Sequence, residues 1–180
     1  KVKLYSYISK LKTVVFQEKL GTLFDKTERV KKLTEYLAET SCPENKVTSI
    51  RAAELCKTDL VTLMLGEKEL TKLQGYIGKF YAEKSGEEPA VCSAIYEHYL
   101  PRGENDELPE TIEGALVALA DKTDTVCGII GVGMLPTGSR DPFALRRAAN
   151  GIVQIIDKFG FEINLNSLAE KAFEVLGEKV

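Results

Sequence analysis

At 180 residues the chain is long enough for one domain, or one domain with an appended element, and for a real buried core. Hydrophobic residues make up 44% and charged residues 28%, near the averages for soluble globular proteins, which excludes wholesale disorder and fibrous repeats. A net charge of -3, from 24 basic and 27 acidic side chains, excludes a global positive field, so any RNA contact needs a local basic patch.

Cys42, Cys56, Cys92 and Cys127 are widely spaced with no C-x-x-C pair, which fits neither a disulfide framework nor a zinc site and suits a reducing cytoplasm. The longest apolar stretches, such as Val126 to Leu135, are too short to cross a bilayer. The opening Lys1-Val-Lys-Leu-Tyr-Ser-Tyr has no signal-peptide core. The chain reads as a piece of a longer one.

Helical periodicity dominates. From Thr27 to Thr40, Val30, Leu33, Tyr36 and Leu37 share one face and Lys31, Lys32, Glu35 and Glu39 the other, ending near Pro43. A second helix is predicted over about Val47–Leu65, capped by Thr48 or Ser49, and a third over about Lys68–Ala82. The third contains Gly75 and Gly78, a spacing that lets another backbone come close. A fourth runs from Glu87 to Tyr99. Pro109 then suits the first turn of a long, alanine-rich helix reaching Gly131, expected to be the most buried. Asp141 and Pro142 read as cap and first residue of a helix to Phe159, closed by Gly160, and Ser167-x-x-Glu170 as the capping box of a last one. The prediction is an all-α bundle of about seven or eight helices. Residues 1–180 form a single domain, with 161–180 open to reading as the start of a linker or following element.

Four features are candidates for chemistry. His98 is the lone histidine, and one imidazole cannot build the multi-ligand site that metal hydrolases need; bonding nearby carbonyls at a helix end is its favoured role. Asp121 and Asp124 lie three apart on the long helix, and Asp59 sits in an apolar one. Converging, the three could hold Mg²⁺, but with Lys57 and Lys122 beside them structural ion pairs are favoured. Lys19, Lys26 and Arg29 could line a turn facing phosphate oxygens, or Lys26 and Arg29 could pair with Asp25 and Glu28 in a solvated first turn. Finally, Gly133-Met-Leu-Pro-Thr-Gly-Ser-Arg-Asp-Pro-Phe-Ala-Leu-Arg-Arg147 lacks the G-x-x-x-x-G-K-[ST] spacing of a nucleotide loop. A helix start with Arg140, Arg146 and Arg147 nearby still favours an anion, unless Asp141 occupies its N–H groups.

Six collinear stretches together are specific. Val14-Val-Phe-Gln-Glu-Lys-Leu-Gly-Thr-Leu-Phe-Asp-Lys26, Cys56-Lys-Thr-Asp-Leu-Val61, Leu73-Gln-Gly-Tyr-Ile-Gly78, Ala94-Ile-Tyr-Glu-His-Tyr-Leu-Pro101, Ala120-Asp-Lys-Thr-Asp-Thr125 and Pro136-Thr-Gly-Ser-Arg-Asp-Pro-Phe-Ala-Leu-Arg-Arg147 resemble the bacterial glycyl-tRNA synthetase β subunit over nearly the whole chain. The resemblance implies the HD-like helical domain from the middle of that subunit. Lys57-Thr-Asp59 stands where HD phosphohydrolases carry their His-Asp pair, and Asp121 where they carry a further metal aspartate. With Lys57, Asp59, Asp121 and Asp124 as degenerate HD positions, the implied metal site is dead, with a lysine ammonium in the vacated charge position, and no catalytic residue is expected in this segment. One local departure is Gly66-Glu-Lys-Glu-Leu-Thr-Lys-Leu-Gln-Gly75, two residues longer than the family's Gly-Glu-Phe-Pro-Glu-Leu-Gln-Gly.

For the whole enzyme the resemblance implies ATP-dependent attachment of glycine to tRNA, with ATP and Mg²⁺ used in the α subunit and no cofactor in this segment. The implied partners are tRNA(Gly), the α subunit and other β-subunit domains, in the cytoplasm and away from membranes. Candidate tRNA contacts are Lys19, Lys26, Arg29, Lys79, Arg140, Arg146 and Arg147. The alternatives are a metal-dependent HD-type phosphohydrolase acting through Asp59, Asp121 and Asp124, and a pure protein interaction scaffold whose basic residues are all locally paired.

Overall fold

The computed structural model describes residues 3–62 and 68–180. Within them lie seven α-helices: α1 (Leu23–Ser41), α2 (Lys46–Leu55), α3 (Tyr76–Ser85), α4 (Pro89–Glu97), α5 (Ile112–Gly131), α6 (Leu145–Phe159) and α7 (Leu165–Leu176). Five short 3₁₀ segments join or flank them, and the only sheet among the described residues is a hairpin of β1 (Val15–Gln17) and β2 (Gly21–Thr22). The fold is all-α, as the periodicity predicts, and no described helix is long and apolar enough to cross a membrane.

Helix α5 is the axis of the bundle. It packs against α1, α2, α4, α6 and α7, and its alanines, Ala115, Ala118 and Ala120, are fully buried. Small side chains on several faces let five neighbours approach one rod, with Leu116, Leu119 and Ile129 meeting Leu33, Leu37, Ile155 and Leu168 in the core. Helix α7 lies on α5 and α1, so residues 165–176 belong to the same bundle.

Several boundaries differ from expectation, each for a local reason. Helix α1 starts four residues earlier than predicted because Thr22 and Asp25 form a capping box: Asp25 N–H donates to Thr22 Oγ1 at 3.2 Å and Thr22 N–H to Asp25 Oδ2 at 2.8 Å. The predicted second helix stops at Leu55 and continues as a 3₁₀ turn over Thr58–Val61; its expected end at Met64 and Leu65, with Gly66 and Glu67 of the longer loop, lies outside the described residues. The third is broken at Gly75, whose φ of +81° is left-handed. A Cβ at Gly75 would sit 2.7 Å from the Tyr99 ring, and one at Gly78 2.8 Å from Ile95. The close approach expected of this pair is therefore made by the side chains of Ile95 in α4 and Tyr99 just beyond it.

Pro109 lies before α5 rather than in its first turn, and Thr111 caps the helix, accepting from the Gly114 N–H at 3.0 Å. Asn164, not Ser167, caps α7. Asp141 does cap α6, but from upstream: its two carboxylate oxygens accept from the N–H groups of Leu145 and Arg146 at 2.7 and 3.0 Å. Pro142 stays outside the helix.

Candidate functional site

Where α1, α5 and the turn after α2 meet, the bundle holds charge instead of hydrocarbon. Lys26 and Arg29 point inward from α1, 3% and 4% exposed, toward Asp121 and Asp124 on α5. The Lys26 ammonium lies 3.0 Å from Asp124 Oδ2 and 3.2 Å from Asp121 Oδ1, and it also donates to Thr125 Oγ1 at 2.8 Å. Arg29 grips Asp124 with two N–H groups, Nε to Oδ1 at 2.6 Å and Nη2 to Oδ2 at 3.2 Å, while Nη1 donates to the Leu20 carbonyl at 2.9 Å. From the other side Lys57 donates to Asp121 Oδ2 at 3.0 Å, its ammonium 4.4 Å from the centre of the Tyr99 ring.

Two buried carboxylates thus face three buried cations. Burial alone would push Asp121 up, but the Lys26 and Lys57 ammonium groups overcome it and hold Asp121 well below the usual carboxylate range. Burial likewise works to neutralise Lys26, and Asp121 and Asp124 outweigh it, leaving the amine more basic than usual. Asp121 and Lys26 are thus both held charged by their partners.

Asp59 is apart from this cluster. Fully buried, it accepts the Gly75 N–H on Oδ2 at 2.6 Å, and burial raises its carboxyl. Its charge pairs with neither Lys57 nor Lys122. His98 ends α4, fully buried, its Nδ1 2.6 Å from the Ile95 carbonyl oxygen, and burial with the nearby Lys57 charge keeps it well below its ordinary pKa. That is the helix-end role read from the sequence.

The expectation of surface pairing at Lys26 and Arg29 needs correction. Asp25 is committed to the cap of α1, and both cations turn into the core, so neither is placed to meet RNA. Lys19, Arg140, Arg146 and Arg147 are exposed and Lys79 is half-buried. The hairpin that carries Lys19 packs on the segment that carries Arg140, with the Phe16 and Phe143 ring centres 6.3 Å apart and the Gln17 amide 3.7 Å from Met134 Sδ. Lys79 stands away from these on α3. Sequence reasoning missed Glu97, whose Oε2 accepts from the Thr111 N–H at 3.0 Å and from its hydroxyl at 2.5 Å, tying α4 to the start of α5.

The three aspartates offered for Mg²⁺ do not converge as a ligand set, and among the described residues no three His, Cys, Asp or Glu side chains are placed to hold a metal ion. A titration with Mn²⁺ or Zn²⁺ is expected to give no tight, stoichiometric binding to this domain. Saturation at one equivalent, lost on replacing Asp121, would overturn that expectation.

Fold and site define an all-helical bundle with a buried cluster in which Lys26, Arg29 and Lys57 are spent on Asp121 and Asp124, while Lys19, Arg140, Arg146 and Arg147 lie exposed. The model of the family described as glycyl-tRNA synthetase beta subunit matches residues 1–180, and the chain belongs to that family. It is 48% identical, over its full 180 residues, to the glycine-tRNA ligase beta subunits of Trichlorobacter lovleyi and Geobacter metallireducens, covering 26% of each. To the Streptococcus agalactiae serotype Ia protein of the same name it is 46% identical over 175 residues, 96% of this chain and 26% of that one. The chain spans about a quarter of the length of the relatives it matches.

Proposed function

We propose that this chain is an HD-like, non-catalytic domain of a glycyl-tRNA synthetase β subunit, contributing a rigid helical block and a tRNA-facing basic surface to ATP-dependent attachment of glycine to tRNA. The observation that carries the non-catalytic reading is the saturated charge cluster: Lys26, Arg29 and Lys57 take up the oxygens of Asp121 and Asp124 that a metal would need. On this reading the Lys57 ammonium stands in the charge position vacated by a hydrolase metal. Family membership supplies the reaction. ATP, Mg²⁺ and glycine belong to the α subunit, tRNA(Gly), the α subunit and other β domains are the partners, and the assembly works in the cytoplasm.

The RNA-facing surface is narrower than the sequence implied. It consists of Lys19, Arg140, Arg146 and Arg147, with Lys79 as an outlying contact. Backbone phosphates recognised this way release counterions, so affinity falls steeply with salt. In the complete α and β assembly, the pair Arg146→Glu and Arg147→Glu is expected to weaken tRNA binding and to flatten the salt dependence by about one phosphate contact per arginine. Unchanged affinity and slope would remove both residues from the interface.

A further inference from the structure

Beside the charge cluster lies a cavity of about 320 Å³, between the residues after α4, the middle of α5 and the start of α6. Gln74, Arg102, Asp121, Lys122, Thr125 and Arg147 give it its polar lining. Its electrostatics are lopsided. Asp121 is matched by Lys26 and Lys57, and Asp124 by Arg29 and Lys26, so the remaining cations of the cavity face no free carboxylate.

Lys122 is the sharpest case. It is 6% exposed and makes no ion pair among the described residues. Among the described residues its ammonium has only two hydrogen-bond contacts, both long, 3.5 Å to the His98 carbonyl and 3.4 Å to that of Tyr99. A buried cation so poorly matched is costly: burial, helped by the repulsion of Lys57 and Lys26, outweighs the pull of Asp121 and lowers it to about 8. It is nonetheless mostly charged at neutral pH. The fold also makes room for it: a Cβ at Gly151 of α6 would lie 2.8 Å from Lys122 Cε, so the bare backbone there lets the lysine stem through to the cavity.

At the rim, Arg102 and Arg147 are exposed, and their guanidinium hydrogen bonds are to carbonyls, Arg102 Nη2 to Gln74 O at 3.4 Å and Arg147 Nη1 to Arg102 O at 3.2 Å, with Arg102 also 5.4 Å from the centre of the Tyr96 ring. The Asp106 carboxylate is engaged by the Arg102 backbone N–H at 2.6 Å and the Glu107 N–H at 3.0 Å. The helix start is not the receptor, because Asp141 already takes the Leu145 and Arg146 N–H groups. Two planar guanidiniums at the rim and an ammonium at the floor match a tetrahedral oxyanion with one ester arm to solvent.

We propose that this cavity binds a phosphate group, with Lys122 at its floor and Arg102 and Arg147 at its mouth. The site shares Arg147 with the proposed tRNA-facing surface but is tested by inorganic phosphate alone, and Lys122, which that surface does not include, separates the two. Its test is a titration of the full-length protein in its assembly with inorganic phosphate, against chloride at equal ionic strength, read by ³¹P line broadening and heat of binding. Wild type is expected to show a saturable component that Lys122→Met, and separately Arg102→Ala with Arg147→Ala, weakens about tenfold or more. The arginine pair is exposed, so that variant keeps its fold even if Lys122→Met does not.

Competition separates the sources of the phosphate. If tRNA displaces inorganic phosphate from wild type, the group is an RNA backbone or terminal phosphate. Displacement by AMP but not by tRNA assigns it to a small phosphate ester, and either result supports the site. Saturable binding that is equal in wild type and the arginine variant, or no saturable binding in wild type, overturns it.

Discussion

Replacing Asp124 with asparagine is expected to destabilise the protein by about 3–5 kcal/mol, the cost of leaving buried cations without their counter-charge. Asp124 is 1% exposed, and among the described residues it is the only carboxylate that Arg29 grips. The substitution keeps the side chain's shape, so little of the loss is cavity formation. Lys26 could still reach Asp121, but that carboxylate is already shared with Lys57. Urea denaturation, comparing the midpoint at constant slope, reads the difference. The same reasoning predicts that Lys26→Met, Arg29→Leu and Asp124→Leu combined cost far less than Asp124→Asn alone, since removing a buried charged set together is often close to neutral. A triple variant as unstable as the single one would show that the cluster's packing, not its charge, is what the fold depends on.

The inward turn of Lys26 and Arg29 was present in the sequence, though not in the pattern first sought there. Both lie on the stripe of Val30, Leu33 and Leu37 extended toward the N-terminus: Lys26 is four residues before Val30 and seven before Leu33, and Arg29 is four before Leu33. An apolar-only count misses them. Read together with Asp121 and Asp124, three apart on the most apolar helix, the spacing describes two cations and two acids that can be buried only by meeting. Asp25 misled because its carboxylate is near both cations in sequence, whereas the capping box gives it a stronger local use.

Helix existence was easier to read than helix limits. Periodicity and Gly or Pro punctuation located α1, α4 and α6, where a solvated face alternates with a buried one, and the run of alanines located α5, which is buried nearly all round. Caps depend on one or two hydrogen bonds, and Thr111, Asn164 and the remote Asp141 could each be outcompeted on paper by a neighbour with the same chemistry. The hairpin of β1 and β2 is only three and two residues long, too short for alternation to register. The cavity was illegible for another reason: Arg102, Lys122 and Arg147 come from three separate segments, and only the packing of α6 on α5 brings them to one space.

The mismatch at Lys122 makes stability itself depend on pH in a direction that sets it apart from its neighbours. In the unfolded chain its amine titrates near 10.5, and in the fold burial, with Lys57 and Lys26 opposing Asp121 and Asp106, brings it to about 8. Below about pH 8 the lysine is charged in both states, so the fold carries the full cost. Between about 8 and 10.5 the unfolded chain holds the proton more tightly, and this term raises stability as pH rises. Above that range the amine is neutral in both states and the cost is gone. At about 1.4 kcal/mol for each tenfold change in the proton equilibrium, the cost at pH 7 is about 3 kcal/mol. Lys122→Met is therefore expected to stabilise the protein by up to that amount at neutral pH and to remove the gain between pH 8 and 10.5, measured by urea denaturation of both proteins across that range. Methionine keeps a long, flexible stem in the groove beside Gly151. A stabilised but phosphate-blind variant is what a binding site held at the expense of stability produces, whereas a variant less stable than wild type at every pH would mean that the two carbonyl contacts satisfy the ammonium in full.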